Sequence, residues 1–178
     1  NNIAVAFNPS GHHLRHRRSD VLRSLKDFSF LVMNEEEAAR LTGVPWHREK
    51  EVFKKLDDLT PGILAVTGGR GGVTVSDGSH IYKAGIFKEK KLIDRTGAGD
   101  AFGSGFTAGL MQRKIICKGM CPVKPYGNGA GVVKPDDIIY AIRLATANAT
   151  SVVERIGATE GILTKRDFKN SRWKNLKV

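Results

Sequence analysis

The stretch that decides the fold is DRTGAGDAFGSGF, residues 94–106, where a strand-like run gives way to a helix. The amides of Gly97, Ala98 and Gly99 can point at one spot without a side chain in the way. Because the first N–H groups of a helix lack partners and the helix dipole is positive there, this turn is suited to hold an anion. Asp100 would lie beside that anion, where a carboxylate can take a proton from an attacking hydroxyl.

Further glycines follow at Gly103, Gly105 and Gly109, where the helix should continue. Each glycine costs about 1 kcal/mol relative to alanine in a helix interior. The pattern therefore predicts that the backbone comes close to a ligand or to a neighbouring element. The simpler interpretation, a tight turn with Asp100 as a helix cap, does not explain these additional glycines.

Residues 94–102 resemble the C-terminal signature of the ribokinase-like (PfkB) sugar kinases. The resemblance implies that the amides of Gly97, Ala98 and Gly99 form the anion hole for the phosphoryl group in transfer, and that Asp100 is the catalytic base. Arg95 departs from the family pattern, which more often has a small residue at this position. The backbone chemistry of the turn should survive that change.

A second strand-like run, residues 30–33, leads into a helix that begins after Asn34. Asn34 as a cap, acidic residues in the first turn and Gly43 at the end are typical of an ordinary helix. The segment also resembles the part of the same family that helps to hold the magnesium–phosphate network. In that case Asn34 and Glu37 occupy the matching positions and would act on Mg²⁺ indirectly. Both interpretations stay open.

A third strand-like run, residues 63–67, is followed by the glycine-rich turn GGRGG at residues 68–72. Four glycines at a strand end are consistent with a simple flexible turn. The segment also resembles the family's nucleotide-contacting turn, which implies that Thr67, Gly69 and Gly72 contact ATP and that Arg70 reaches a phosphate.

The last long helix begins at Pro135 and carries unusual polar residues. It resembles the family helix that lines the adenine pocket, so Thr146 and Asn148 would face the base; hydrogen bonding between helices is an equally weighted alternative. In relatives, a monovalent cation such as K⁺ can lie between the end of this helix and the loop before the anion hole. Asp94 and Thr96 would contribute to such a site.

Strands alternate with helices through the first half of the chain, and an Asp77-Gly78 turn predicts a β-hairpin. We therefore expect an α/β fold, a ribokinase-like three-layer sandwich with a mainly parallel sheet and helices on both faces. Ligands of such folds bind outside the carboxyl ends of the strands. The three glycine- or asparagine-containing segments should therefore converge on one crevice.

The whole chain, residues 1–178, is interpreted as one nucleotide-binding and catalytic domain that matches the C-terminal part of the family. Nothing matches the family's N-terminal sugar-binding and lid portion, so the isolated chain is expected to turn over sugar poorly or not at all. Residues 113–135 are interpreted as a surface insertion whose Cys117 and Cys121 are inert or exposed thiols rather than a disulfide. Residues 12–18 are expected to form a mobile basic loop, and residues 165–178 a terminal helix or a ragged end.

The chain has 178 residues and a net charge of +11 that is spread over many segments. It lacks an apolar run long enough to span a membrane, and two cysteines are too few for a disulfide framework, so a cytoplasmic setting is expected. The predicted function is ATP-dependent phosphoryl transfer to a hydroxyl of a sugar-like molecule, with ATP, Mg²⁺ and K⁺ as cofactors. Nucleic acid is a less favoured partner, and a homodimer is allowed. The alternative is a non-catalytic basic domain that binds nucleotides or nucleic acid.

Overall fold

The computed structural model describes residues 4–113 and 133–178. Within these residues the helices are α1 (Gly11–His16), α2 (Arg18–Ser24), α3 (Glu35–Thr42), α4 (Glu49–Leu59), α5 (Ala98–Gln112) and α6 (Pro135–Val153). The strands are β1 (Ala6–Phe7), β2 (Phe30–Asn34), β3 (Ile63–Thr67), β4 (Val73–Ser76) and β5 (Ile81–Ala84).

In the described part of the chain, the five strands form one sheet in the order β1-β2-β3-β4-β5. β1, β2 and β3 run parallel to one another, whereas β4 and β5 add two antiparallel pairings. The expected hairpin accounts for β4 and β5 and makes the sheet mixed. Because β1, β2 and β3 are parallel, their carboxyl ends lie at the same edge.

Helices cover both faces of the sheet. On β2, Phe30 and Val32 point into a core that contains residues of α5 and α6, and Phe30 stacks on Phe106 with ring centroids 4.5 Å apart. Leu31 and Met33 point the other way, into a core formed with α1 to α4. This alternation is what a strand that is buried on both faces produces. The expected three-layer α/β sandwich is confirmed.

The glycines inside α5 allow this helix to lie close to α6. A Cβ atom on Gly109 would lie 2.6 Å from Cα of Ala141, and one on Gly105 would lie 3.0 Å from Cα of Ala145. Both distances are shorter than an ordinary carbon–carbon contact of about 3.5–4.0 Å. The neighbouring element anticipated from the glycine spacing is therefore α6, at least for these two positions.

The basic segment after β1 is a helix rather than the loop that we expected. α1 begins after Ser10, whose N–H donates to Nδ1 of His13 at 3.1 Å. Leu14 is buried, and the ring of His13 packs edge-on against Phe7 at a centroid distance of 5.6 Å. The prediction failed because one buried leucine and a histidine cap stabilise a turn that is otherwise entirely polar.

The C-terminal tail also differs from the expectation of a helix or a ragged end. It forms two short 3₁₀ turns, Asp167–Lys169 and Ser171–Trp173, and Trp173 is buried. The predicted surface insertion at residues 113–135, with Cys117 and Cys121, falls almost entirely outside the described residues.

Candidate active site

Two strand ends and the start of α5 line one cavity of about 340 Å³. The strand-like run that we expected directly before residue 94 is absent, since residues 85–97 form no strand. Asn34 ends β2 and pairs with Thr67, which ends β3, and the beginning of α5 lines the same cavity. The site residues expected from the sequence that line it are Asn34, Thr67, Gly69, Arg70, Gly72, Ala98, Gly99 and Thr146. The carboxyl edge of the parallel strands thus brings together segments that are far apart in the chain.

Gly97 makes the turn that starts α5. Its φ of 79° lies in the left-handed region that favours glycine. A Cβ atom on Gly97 would lie 2.6 Å from Cα of Ala158, so the turn packs against the segment that follows α6. A Cβ atom on Gly99 would instead meet nothing within 4 Å, because Gly99 faces the open cavity. One glycine therefore builds the turn, and the other exposes its backbone to a ligand.

The three amides of this turn are not equivalent. The N–H of Ala98 donates to the carbonyl of Arg95 at 3.3 Å, whereas the N–H groups of Gly97 and Gly99 have no hydrogen-bond partner within the described residues. The amide of Ala98 therefore already has a partner inside the turn, whereas those of Gly97 and Gly99 have none in the described part of the chain. The two remaining amides and the dipole of a 15-residue helix still favour an anion here.

Asp100 lies in the first turn of α5 and is exposed. Burial raises the pKa of Glu37, and the nearby carboxylates of Asp100 and Glu36 raise it further. Asp100 and Glu37 are therefore electrostatic neighbours across the gap between α3 and α5. Bringing two carboxylates together costs free energy that a cation can offset.

The acidic pair fits magnesium only in an indirect role. Across residues 4–113 and 133–178, no group of three or more histidine, cysteine or carboxylate side chains is placed to hold a metal ion. Magnesium often uses one or two carboxylates and takes its other ligands from water and substrate phosphates. Glu37 and Asp100 could supply these one or two carboxylates to a magnesium ion that enters with a nucleotide.

Asn34 and Glu37 form a reciprocal capping box at the start of α3. The N–H of Glu37 donates to Oδ1 of Asn34 at 2.9 Å, and the N–H of Asn34 donates to Oε2 of Glu37 at 2.9 Å. The helix ends at Gly43 with a φ of 71°. The ordinary capping interpretation is thus correct. Because the cap holds both side chains near the cavity, it is also compatible with a role towards magnesium.

Two glycines in the turn after β3 differ in their surroundings. Gly72 has a φ of 88°, and a Cβ atom there would clash with the carbonyl oxygen of Ala84 on β5. Gly69 has a φ of 55°, but a Cβ atom there would meet nothing within 4 Å. Gly72 is therefore required by the packing of the hairpin, whereas Gly69 leaves room beside the cavity.

Charged side chains surround the cavity on this side. The guanidinium of Arg70 lies 3.5 Å from Oε1 of Glu89, and both residues line the cavity. Arg95 lines it as well and is exposed. Two arginines against one glutamate give the lining a net positive charge, which favours a polyanionic ligand.

The two polar residues of α6 behave differently. Asn148 is buried; its amide donates to the carbonyl of Ala101 at 2.8 Å, and its Oδ1 accepts from the N–H of Leu163 at 2.8 Å. Of the two alternatives for Asn148, the structure therefore supports hydrogen bonding between elements and not contact with a base. Thr146 lines the cavity, and its Oγ1 is buried without a hydrogen-bond partner in the described structure.

Asp94 and Thr96 are engaged with one another. Oδ1 of Asp94 accepts from the N–H of Thr96 at 2.9 Å and from its hydroxyl at 2.7 Å, and Oδ2 accepts from the N–H of Gly157 at 3.3 Å. The hydrogen bonds from Thr96, followed by that from Gly157, lower the pKa of Asp94. These contacts tie the loop before α5 to the segment that follows α6.

An apolar wall of the cavity was missed from the sequence. It consists of Val73, Ile86, Phe87, Leu92, Phe102, Ala149 and Val153. These residues come from the hairpin, the segment after it and both α5 and α6, so no local pattern marks them as one surface. The wall is suited to a flat apolar group such as a nucleobase.

The C-terminal tail supports this wall from behind. Phe87 packs edge-on against Trp173 with ring centroids 5.2 Å apart. Arg172 makes a two-pronged ion pair with Glu154, which also accepts from the N–H of Lys90 at 2.6 Å. Burial alone would raise the pKa of Glu154, but the hydrogen bonds from Arg172 and Lys90 leave it below its ordinary value. The tail thus packs against Phe87, a residue of the cavity wall.

Comparison with known proteins identifies relatives of this chain. A family model described as "pfkB family carbohydrate kinase" matches residues 2–165. The "Cytidine kinase" of Thermococcus kodakarensis is 35% identical over 116 residues, which are 64% of this chain and 41% of that protein. The chain therefore spans about two fifths of the length of this curated relative.

Solved structures resemble the fold closely. The "Structure of Ribokinase from Giardia lamblia" matches 92% of this chain and 48% of that chain, with a TM-score of 0.71 and 23% identity. The "Structure of Arabidopsis thaliana Ribokinase complexed with Ribose and ATP" matches 86% of this chain and 43% of that chain, with a TM-score of 0.66 and 21% identity. Among the described residues, no helix is both long and apolar enough to cross a bilayer.

Proposed function

The chain belongs to the pfkB family of carbohydrate kinases, and from this premise we propose that it supplies the ATP site and the catalytic base of a kinase. The reaction is transfer of the γ-phosphoryl group of ATP to a hydroxyl of a sugar or a sugar-like molecule. The observation that carries the proposal is the convergence of Asn34, the Gly68–Gly72 turn and the start of α5 on one cavity with Asp100 beside it.

In this proposal the triphosphate lies along the glycine turns. The amides of Gly97 and Gly99 bind oxygens of the phosphoryl group in transfer, where negative charge must be stabilised by fixed donors. Arg70 and Arg95 attract the triphosphate into the cavity. The adenine base of ATP lies against the apolar wall. There the buried hydroxyl of Thr146, which has no protein partner among the described residues, is free to hydrogen-bond with it.

Asp100 orients the acceptor hydroxyl and takes its proton. Because it lies in the first turn of α5, it is next to the phosphoryl group held by the glycine amides. Magnesium, when bound with the nucleotide, neutralises charge on the phosphates. Glu37 holds water around that ion, and Asn34 fixes the orientation of Glu37 through the capping box.

The acceptor is proposed to be the sugar hydroxyl of a nucleoside or a free pentose. This proposal rests on relatives named as a cytidine kinase and as ribokinases. Residues that choose the acceptor are proposed to lie outside this sequence, because the chain spans only about two fifths of the related cytidine kinase.

The test of the proposed function is the variant Asp100→Asn. In the complete enzyme we expect phosphoryl transfer from ATP to cytidine or ribose to fall by about 10²–10⁴-fold, since a general base contributes that much. ATP affinity, measured by calorimetry, should change little. Asp136→Asn is a matched control, because Asp136 is an exposed carboxylate in the first turn of α6. Equal transfer rates for the two variants would refute the assignment, and a wild type that binds ATP without transfer would favour a binding domain.

A further inference from the structure

A pair of histidines on α1 lies outside the cavity and has no part in the proposed kinase reaction. His12 and His16 are one helical turn apart, and both are exposed. Their ring centroids lie 4.8 Å apart with an interplanar angle of 45°. Two histidines at positions i and i+4 of a helix are a known arrangement for binding one metal ion, because both side chains project from the same face.

The distance between the rings matches that geometry. An imidazole nitrogen lies about 2.0–2.1 Å from zinc, which puts each ring centroid about 3.2 Å from the metal. At coordination angles of about 90–110°, two such centroids lie about 4.5–5.2 Å apart. The observed 4.8 Å falls inside this interval. The spacing of the two rings is therefore compatible with binding one ion.

The scaffold under the pair is well anchored. Leu14 holds α1 against the core with only 2% of its surface exposed. His13 does not compete for the ion through Nδ1, because this atom accepts from the N–H of Ser10 and contacts its hydroxyl at 2.8 Å. The third histidine of the cluster thus stabilises the helix that presents the other two.

We propose that His12 and His16 form a two-ligand site for a borderline transition-metal ion, Zn²⁺, Ni²⁺ or Cu²⁺, completed by water. Imidazole pairs select such ions, whereas Mg²⁺ and Ca²⁺ prefer oxygen ligands. The site is open on the solvent side, because both rings are exposed and no third protein ligand is in place among the described residues. The proposal does not depend on the kinase assignment.

The experiment is a calorimetric titration of the chain with ZnCl₂. Cys117 and Cys121 are replaced by serine in every sample, because thiolates bind the same ions. We expect one ion per chain, and the single variants His12→Ala and His16→Ala should each lower the affinity by at least about tenfold. His47→Ala is the matched control, because His47 is an exposed histidine outside the pair. The His47→Ala variant should bind Zn²⁺ with the affinity of the parent.

A second measurement reports on the rings directly. Substoichiometric NiCl₂ should broaden the NMR signals of the His12 and His16 rings before those of His47. The proposal is overturned if the parent binds no Zn²⁺, if either alanine variant keeps the parent affinity, or if His47 is broadened equally. ATP binding should be the same in His12→Ala and in the parent, which separates this result from a failure of the proposed function.

Discussion

Replacing Gly99 with alanine should separate the stability of α5 from its ability to bind a phosphate. A methyl group at Gly99 meets nothing within 4 Å, so the variant gains up to about 1 kcal/mol of helix propensity. The same change at Gly109 puts a Cβ atom 2.6 Å from Cα of Ala141. Overpacking of this kind costs about 1–3 kcal/mol, which exceeds the gain in propensity. We expect a net loss of up to about 2 kcal/mol for Gly109→Ala.

The assay combines thermal unfolding with ATP titration. For a chain of this size, about 1 kcal/mol corresponds to a shift of about 2–4 °C in Tm, so Gly99→Ala should melt higher and Gly109→Ala lower than the wild type. The methyl group of Gly99→Ala stands in the cavity and should keep the phosphate away from the amide of residue 99. ATP binding should therefore weaken by about ten- to hundredfold, which corresponds to the loss of one charge-assisted hydrogen bond. The reasoning is refuted if Gly99→Ala binds ATP like the wild type, or if both variants lose the same stability.

Two further variants test other parts of the site. Glu154→Gln should be less stable than the wild type at neutral pH by about 1–2 kcal/mol, because Glu154 loses its charge-assisted bonds to Arg172. Since the folded-state pKa of Glu154 is lowered, its contribution is present above the ordinary value of 4.5 and is lost as the pH falls through the folded-state pKa. The difference in unfolding free energy between the two proteins should therefore shrink below pH 4.5, and a difference independent of pH would contradict the ion pair. Thr146→Val removes a buried hydroxyl that has no partner among the described residues, so the free protein should be as stable or more stable while ATP binds more weakly. Unchanged ATP affinity would exclude Thr146 from the site of the adenine base.

Those parts of the architecture that depend on local patterns could be predicted from the sequence. Continuous apolar runs mark β2 and β3, the Asp77-Gly78 turn marks the hairpin, and the glycine turn at residues 97–99 marks the start of α5. α1 could not be predicted, because its stability comes from a single buried leucine and a histidine cap. The 3₁₀ turns of the tail depend on Trp173 packing against Phe87, a contact between residues far apart in the chain.

The candidate site divides in the same way. Asn34 and Thr67 end strands that could be recognised, and the parallel pairing brings them to one edge. Gly99 could be recognised from the glycine turn itself, since no strand precedes α5 directly. The apolar wall depends on packing between the hairpin, α5 and α6, which leaves no mark in any one segment. Asn148 illustrates a different limit of prediction. A polar residue in a buried helix indicates that it has a hydrogen-bond partner, but the sequence alone does not distinguish a nucleobase from the backbone of Ala101.

The most direct test of the account is an NMR titration of the ¹⁵N-labelled chain with MgATP. The account predicts that the amide signals of Gly69, Gly97 and Gly99 shift as the nucleotide saturates the cavity. The amides of Gly43 and Gly78, which belong neither to the cavity lining nor to the turn at residues 97–99, should stay in place. Saturable ATP binding that leaves the signals of Gly97 and Gly99 unmoved, or the absence of any ATP binding, would contradict the claim that this glycine turn holds the phosphate.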